Sequence, residues 1–403
     1  MNNKKVPQIA GLGDACCGCG ACAVRCPKSC IAMKADNCGF LRPEVDADAC
    51  SGCGACDAVC PAIGERAQDS VESATWAKSK NEGKRLVSSS GGLFALLAHD
   101  VLAAGGVVCG AAWETGCKSV RHVLIDSEKD LDSVMRSKYV QSYIARDVYE
   151  GMRASLRSGR KVLFAGTACQ VAGVKAYLGK LAESNAFLAV DVICHGVPSP
   201  LLWEKWAEHR EGRAGAPLCA VNMRSKATGW LSYSAAYTYA AEKDGCAVCD
   251  GGVFGDDWYF KAFLNNASLR SSCFVCPAKR SCGSDITLGD FWGIQTAHPE
   301  VDYEGGVSAV LCNTEKGVAA IDGVKPNIEW GPSSLEKVVA GNPSLVRSVE
   351  PYAKRDEFIG DLASGMKVES LMTKYDFKPS FLARLRGKLS GVKRRVVKLL
   401  AKA

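Results

Sequence analysis

Neither a G-x-G-x-x-G fingerprint nor a Walker loop occurs in the 403 residues. The two commonest glycine-rich phosphate cradles are therefore excluded, and any dinucleotide must be held another way. The opening segment MNNKKVPQIAGLG carries no apolar core of signal-peptide length. Only GGLFALLAHDVLAAGGVVCGAAW (91–113) is long and apolar enough to suggest a membrane span. His99 and Asp100 interrupt it near its centre, where an Asp costs roughly 3 kcal/mol on insertion, and Gly105–Gly106 break it. It reads as a buried helix, a turn and a strand beginning at Val107. Acids are missing from residues 377–403, which hold nine lysines and arginines, so residues 1–376 sum to −2 against a total of +7. The body is near neutral and the tail carries the basic character. Nucleic acid is not an expected partner, because no aromatic interleaving or known motif accompanies that charge.

Cysteine is abundant. There are 22, and 11 fall in the first 60 residues. In a reducing, cytoplasmic setting clustered cysteines read as metal ligands rather than disulfides. CCGCGACAVRCP (16–27) and CSGCGACDAVCP (50–61) are one motif repeated at an offset of 34 residues, each C-x2-C-x2-C-x3-C-P. This is the bacterial ferredoxin run, in which three close thiolates hold one cubane and the fourth reaches across to the other. Cys16, Cys19, Cys22 and Cys60 are expected to hold one 4Fe–4S cluster, and Cys50, Cys53, Cys56 and Cys26 the second. Zinc more often takes two C-x2-C pairs than two runs of four with trailing prolines. Cys17 aligns with Ser51 and is not expected to be a ligand. Cys30 and Cys38 have no counterparts and read as packing or loop residues. A dicluster ferredoxin domain is expected over residues 1–66.

After a polar link around 78–85 the pattern becomes α/β. Strand-like segments occur at 107–113, 120–126, 161–166 and 187–194, with helix-like runs at 147–158, 170–178 and from about 200, which suggests a partly parallel sheet. Segments 218–225 and 233–239 look like an antiparallel pair, and 284–293 and 307–313 complete the sheet. Cys169 lies just past one strand end and Cys194 closes another, and the carboxyl ends of strands in open sheets are where ligands bind. Taken alone, each is more often a buried structural cysteine. With Cys273 and Cys276 of SSCFVCPAK (271–279) they make four, the number a third cubane needs. Cys246 and Cys249 form a further C-x2-C, readable as a fortuitous pair in a loop or as a zinc or redox pair.

SSSGGLFALLA (88–98), SKYVQS (137–142), AGTACQ (165–170), ICHGVPSP (193–200), AFLNNASLRSSCFVC (262–276) and SDITLGDFWG (284–293) occur in that order. Through them the chain resembles the coenzyme F-420 hydrogenase/dehydrogenase beta subunits over most of residues 1–360. The resemblance implies FAD and a 4Fe–4S cluster in a body spanning residues 67–370. It implies Cys169, Cys194, Cys273 and Cys276 as ligands of that third cluster. It places the flavin near Ser90, Gly91 and Gly92, near Lys138, and near Gly166, Thr167 and Gln170 of the AGTACQ loop. The chain departs from the family in having Ala168 where Pro is usual, and Cys282 could replace one of the four ligands.

From the residues themselves, SSSGG before a helix offers hydroxyls, unhindered amides and a positive helix end for a pyrophosphate, or is an N-cap with glycines for close packing. Lys138 reads as a phosphate or reduced-flavin partner, or as a surface lysine. His195 reads as a hydrogen-bond or proton donor beside a ligand, or as a satisfied turn histidine. Asp290 orients a ligand loop or caps a turn.

The remaining domain, 371–403, has apolar residues at helical spacing (Phe381, Leu385, Leu389, Val392, Val396) opposite a basic face. That is the pattern of a basic amphipathic helix lying on an anionic membrane surface, or docking on a partner subunit. The expected fold is thus a bacterial-type dicluster ferredoxin fused to a mixed-sheet α/β body that binds flavin and a cluster, followed by an amphipathic C-terminal helix. The expected function is that of an iron–sulfur flavoprotein oxidoreductase, cytoplasmic and in part peripheral at the inner membrane face. Flavin is the natural junction, because clusters exchange single electrons and hydride carriers exchange two. A redox partner protein or a hydride-carrier coenzyme is the expected partner. The alternative is a non-catalytic electron-transfer subunit of a larger complex.

Overall fold

The computed structural model describes residues 6–240 and 248–378. Its strands in chain order are β1 (Ile31–Ala35), β2 (Leu41–Val45), β3 (Ser73–Ser79), β4 (Val107–Trp113), β5 (Val120–Ile125), β6 (Ser142–Tyr143), β7 (Val162–Thr167), β8 (Phe187–Val192), β9 (Leu218–Ser225), β10 (Ser234–Tyr239), β11 (Val248–Val253), β12 (Ile286–Asp290), β13 (Ser308–Cys312) and β14 (Ile328–Pro332). β1 and β2 pair antiparallel beside the cysteine repeats. Nine strands form a mixed sheet in the order β14-β3-β13-β12-β8-β7-β4-β5-β6, and β11-β10-β9 form a separate antiparallel sheet.

The centre of the large sheet, β12-β8-β7-β4, is parallel. Parallel strands covered on both faces need continuous apolar runs, and Val162, Leu163, Phe164, Phe187, Ala189 and Val190 are at most 1% exposed. A parallel neighbour also needs a crossover, which the helix Ala168–Leu178 supplies between β7 and β8. The carboxyl ends of β7, β8 and β12 therefore open on one edge of the sheet. Residues 91–113 form the buried helix Leu93–Ala103, a turn with Gly105 at φ +72° and then β4. Among the described residues no helix is long and apolar enough to cross a membrane.

One expectation changes and another is extended. The polar link at 78–85 begins inside β3, which lies between β13 and β14. Its Lys78 is buried and forms ion pairs with Asp302 and Glu329, each at 3.3 Å, which lets a strand carry a lysine inward. The pair 218–225 and 233–239 is β9 and β10, set apart from the main sheet, with β11 as a third strand. This small sheet packs on an aromatic core that includes Trp203, Trp206, Tyr237, Tyr259 and Phe260. The helix Val368–Lys374 and Phe377 enter the same core, with Leu371 and Met372 fully buried. Body packing thus runs past residue 371 to Phe377. The amphipathic segment 381–403 and Cys246 lie outside the described residues.

Candidate functional site

The two repeats are built alike at their first cysteines. Gly18 and Gly52 take φ of +73° and +69°, a region that glycine enters without steric cost. Their amides donate to the sulfurs of Cys16 at 3.3 Å and Cys50 at 3.4 Å. Burial and the neighbouring thiols of Cys16 and Cys60 push Cys22 up to about 12. Burial also raises Cys60, with Cys16 adding to the rise. Cys22, Cys16 and Cys60 thus come together although Cys60 belongs to the second repeat. Cys26, Cys50, Cys53 and Cys56 line one small cavity. Cys30, read from the sequence as a packing or loop residue, lines it too, with its sulfur 3.4 Å from Cys26.

The first of these groups faces the body. Cys19 is buried in the core around the helix Ala168–Leu178, and the Tyr149 hydroxyl donates to the Cys19 carbonyl at 2.8 Å. Arg270 joins the two parts. It is fully buried, and it donates to the carbonyls of Cys16 (2.6 Å) and Leu41 (2.8 Å) and to Gln141 Oε1 (2.8 Å).

Cys169, Cys194, Cys273 and Cys276 line a single cavity at the carboxyl ends of β7 and β8. Cys169 sits in the first helical turn after β7, fixed by a capping box between Thr167 and Gln170. Cys194 follows β8, Cys273 lies within the turn Ser271–Val275, and Cys276 follows that turn directly. The Val197 amide donates to the Cys273 sulfur at 3.4 Å, and Thr167 Oγ1 lies 3.3 Å from Cys169 Sγ. Cys17 lines the same cavity. Contact with Cys17 and then burial push the Cys169 thiol up, burial pushes Cys273 up to about 12, and burial raises Cys194 and Cys276 as well.

Cations oppose that rise, Arg270 at Cys169 and Cys273 and Lys279 at Cys194 and Cys276. Arg270, Lys279 and Arg280 all line the cavity. Among the described residues Arg270 has no carboxylate partner, and Arg280 Nε and Nη1 are buried without any partner. Cys282 does not line the cavity. Its amide and thiol are turned to Asp69 Oδ2, at 3.1 and 3.6 Å. Among the described residues no three Cys, His, Asp or Glu side chains converge tightly enough for a single metal ion.

Residues 159–334 match the family model for the C terminus of the coenzyme F420 hydrogenase/dehydrogenase beta subunit. Over those residues the chain is similar to this family of hydrogenase and dehydrogenase subunits. The matched segment contains Cys169, Cys194, Cys273 and Cys276, and excludes the N-terminal repeats and Ser90–Gly92. No curated protein matches the chain. Among solved structures it is similar to a chain of the xenon-derivatized F420-reducing NiFe hydrogenase complex from Methanosarcina barkeri, at 16% identity and a TM-score of 0.44, covering 77% of this chain and 92% of that one.

The residues expected around a flavin fall into two places. Thr167 and His195 line the cysteine cavity. Gly166 and Gln170 are beside it, with Gln170 Nε2 donating to Ser142. His195 Nε2 is 2.6 Å from Asn266 Oδ1, and burial lowers its pKa. Ser90, Gly91, Gly92 and Lys138 lie elsewhere, at the start of the helix Leu93–Ala103. Gly91 is a packing glycine here: its amide donates to Ser308 Oγ at 3.0 Å, and a Cβ would meet the Ala77 carbonyl at 2.4 Å.

Basic residues in and just after β9, which the sequence did not single out, close on the same loop. Lys226 Nζ donates at 2.6 Å to the carbonyls of Arg85, Ser90 and Gly305. Arg224 donates to the Ser89 carbonyl at 3.2 Å and pairs with Asp290 at 2.7 Å. Arg85 Nε and Arg224 Nε are buried without partners among the described residues. Lys138 is half-buried, and desolvation, helped by Arg136, lowers it to about 7.

Proposed function

We propose that the chain is an iron–sulfur flavoprotein that moves electrons between two ferredoxin-type clusters, a third cluster in the body and FAD. The observation that carries this reading is the gathering of Cys169, Cys194, Cys273 and Cys276 on one cavity, next to the Cys16 end of the N-terminal repeat. The donor set suits a cubane, which is broader than one ion and takes thiolates spread around a cavity. A cubane held by four thiolates is an anion, and a buried arginine without a counter-ion beside four thiols is what such a charge requires. Cys16, Cys19, Cys22 and Cys60 would hold the inner ferredoxin-type cluster, and Cys26, Cys50, Cys53 and Cys56 the outer one.

For FAD the fit rests on Lys138, Lys226 and the orphaned guanidinium nitrogens of Arg85 and Arg224 around Ser88–Gly92. Unpaired buried donors call for an acceptor, and a pyrophosphate is one. Bound flavin would supply the exchange between single electrons and a two-electron carrier. The chain's own part is to hold the phosphates, to bring Cys17 of the first repeat and Cys169 onto one cavity and to keep water from that cavity. The ferredoxin module would span residues 1–66 and the body would continue to about residue 378.

The test is anaerobic purification with iron, sulfide and flavin analysis, followed by turnover with a reduced hydride carrier and an artificial dye. Protein holding clusters but no flavin, before and after reconstitution, would remove FAD from the reading. The family's description as a beta subunit supports a second reading, an electron-transfer subunit that works only when docked. Flavin and clusters present without turnover in isolation would favour it.

A further inference from the structure

Five thiols face the body cavity, because Cys17 lines it together with Cys169, Cys194, Cys273 and Cys276. Cys17 comes from the N-terminal repeat, where Ser51 holds the matching place, so the ferredoxin-type site beside it does not call for that thiol. Its side chain instead lies against Cys169 as well as Cys19. Both partners stand on braced backbone. On one side Arg270 grips the Cys16 carbonyl at 2.6 Å, and Gly18 leaves no room for a side chain against Gln141 and Arg270. On the other, the Thr167–Gln170 capping box fixes the turn that carries Cys169, and Gln170 is tied to Ser142.

A cubane presents four corners and takes one thiolate at each, so one of the five thiols is spare. We propose that Cys17 is an exchangeable ligand of the body cluster, able to take the corner held by Cys169. The N-terminal module then completes the body's metal site rather than only docking beside it. In the exchange Cys17 loses its proton and forms a sulfur–iron bond, while the Cys169 sulfur–iron bond breaks and that sulfur takes the proton. No electron is gained or lost, and no other reactant is needed. The proposal rests on the body-cluster reading above.

Full-length protein, purified anaerobically, tests it by iron and sulfide content and by the low-temperature paramagnetic spectrum after reduction. Wild type should hold about twelve irons. Cys169→Ala should still hold about twelve, with an altered signal for one cluster, and Cys17→Ala should also hold about twelve. The double variant should fall to about eight. Cys273→Ala, which has no spare thiol beside it, should fall to about eight by itself and shows that one lost cluster is countable. If Cys169→Ala alone drops to about eight or lower while wild type holds about twelve, the exchange is overturned. If wild type holds about eight and Cys273→Ala leaves that number unchanged, the body-cluster reading has failed and the exchange with it.

Discussion

Gly173 stands one turn beyond Cys169 on the same helix, and a Cβ placed on it would come within 2.8 Å of the Cys19 sulfur. Residues four apart share a helix face about 6 Å along the axis. One face of this helix therefore touches a cysteine of the body cavity and a cysteine of the first repeat. Cys19 of the first repeat and the body cavity are neighbours, whereas Cys53 of the second repeat is exposed.

Gly173→Ala tests this contact. Alanine gains about 1 kcal/mol of helix propensity over glycine. Overpacking against Cys19, which is held by the Tyr149 hydrogen bond, costs about 1–3 kcal/mol. The clash should win, with lower thermal stability and partial loss of the inner cluster alone. A variant with unchanged melting and full iron content would mean that Cys19 is free to move aside.

Arg270→Met should loosen the module from the body. The side chain makes three hydrogen bonds, two of them across the junction to the Cys16 and Leu41 carbonyls and one to Gln141 of the body, and bonds to a charged donor contribute on the order of 1.5–3 kcal/mol each. Methionine keeps much of the volume and removes all three. Limited proteolysis should then cut between the last repeat cysteine and β3 at protease levels that wild type survives. A digestion pattern identical to wild type would show that other contacts hold the module.

Much of this arrangement is legible in the sequence where the signal is local. The two C-x2-C-x2-C-x3-C-P runs carry their ligand spacing within twelve residues, and the apolar runs of β7 and β8 announce buried parallel strands. The third cysteine set is legible in type, because Cys169 and Cys194 end strands, but only the sheet order brings Cys273 and Cys276 to them. The alignment of Cys17 with Ser51 speaks only of its own repeat and is silent on a contact with Cys169 more than 150 residues away. The end of β3 is hidden because Lys78 and Ser79 look like the start of a polar link until Asp302 and Glu329 pair with Lys78. Gly91 looks like a phosphate cradle for the same reason: its close neighbours, Ala77 and Ser308, lie on strands from either end of the chain.

The two half-buried lysines, Lys138 and Lys226, give a pH dependence. Burial lowers both Lys138 and Lys226 to about 7. Their folded values lie below the unfolded value near 10.5, so the unfolded chain binds more protons between about pH 7 and 10.5, and stability from these groups rises with pH across that window. It is complete above about 10.5 and lost as the pH falls through 7. Anion binding runs the other way, because a phosphate favours the ammonium form. The affinity of flavin-free protein for FAD should therefore fall between pH 7 and 9, by up to about tenfold per pH unit for each proton taken up. Lys138→Ala should bind more weakly at pH 6.5 and show a shallower slope. A dissociation constant flat from pH 6.5 to 9 in wild type would separate both lysines from the phosphates.

The last prediction concerns the basic C-terminus. Residues 379–403 carry eight lysines and arginines and no acid. Each basic residue at an anionic surface contributes on the order of 1 kcal/mol, screened by salt, and burial of an apolar stripe adds a part that salt does not remove. The cut must follow Lys378 rather than Asp376, because Phe377 is only 4% exposed and packs in the body's aromatic core. Chain truncated there should keep its iron and flavin content and its melting temperature, yet fail to sediment with anionic vesicles at low salt. Full-length protein should sediment with anionic vesicles, less at high salt, and weakly or not at all with neutral ones. Full-length protein that stays in the supernatant under all four conditions would reassign the segment from a lipid surface to a partner subunit.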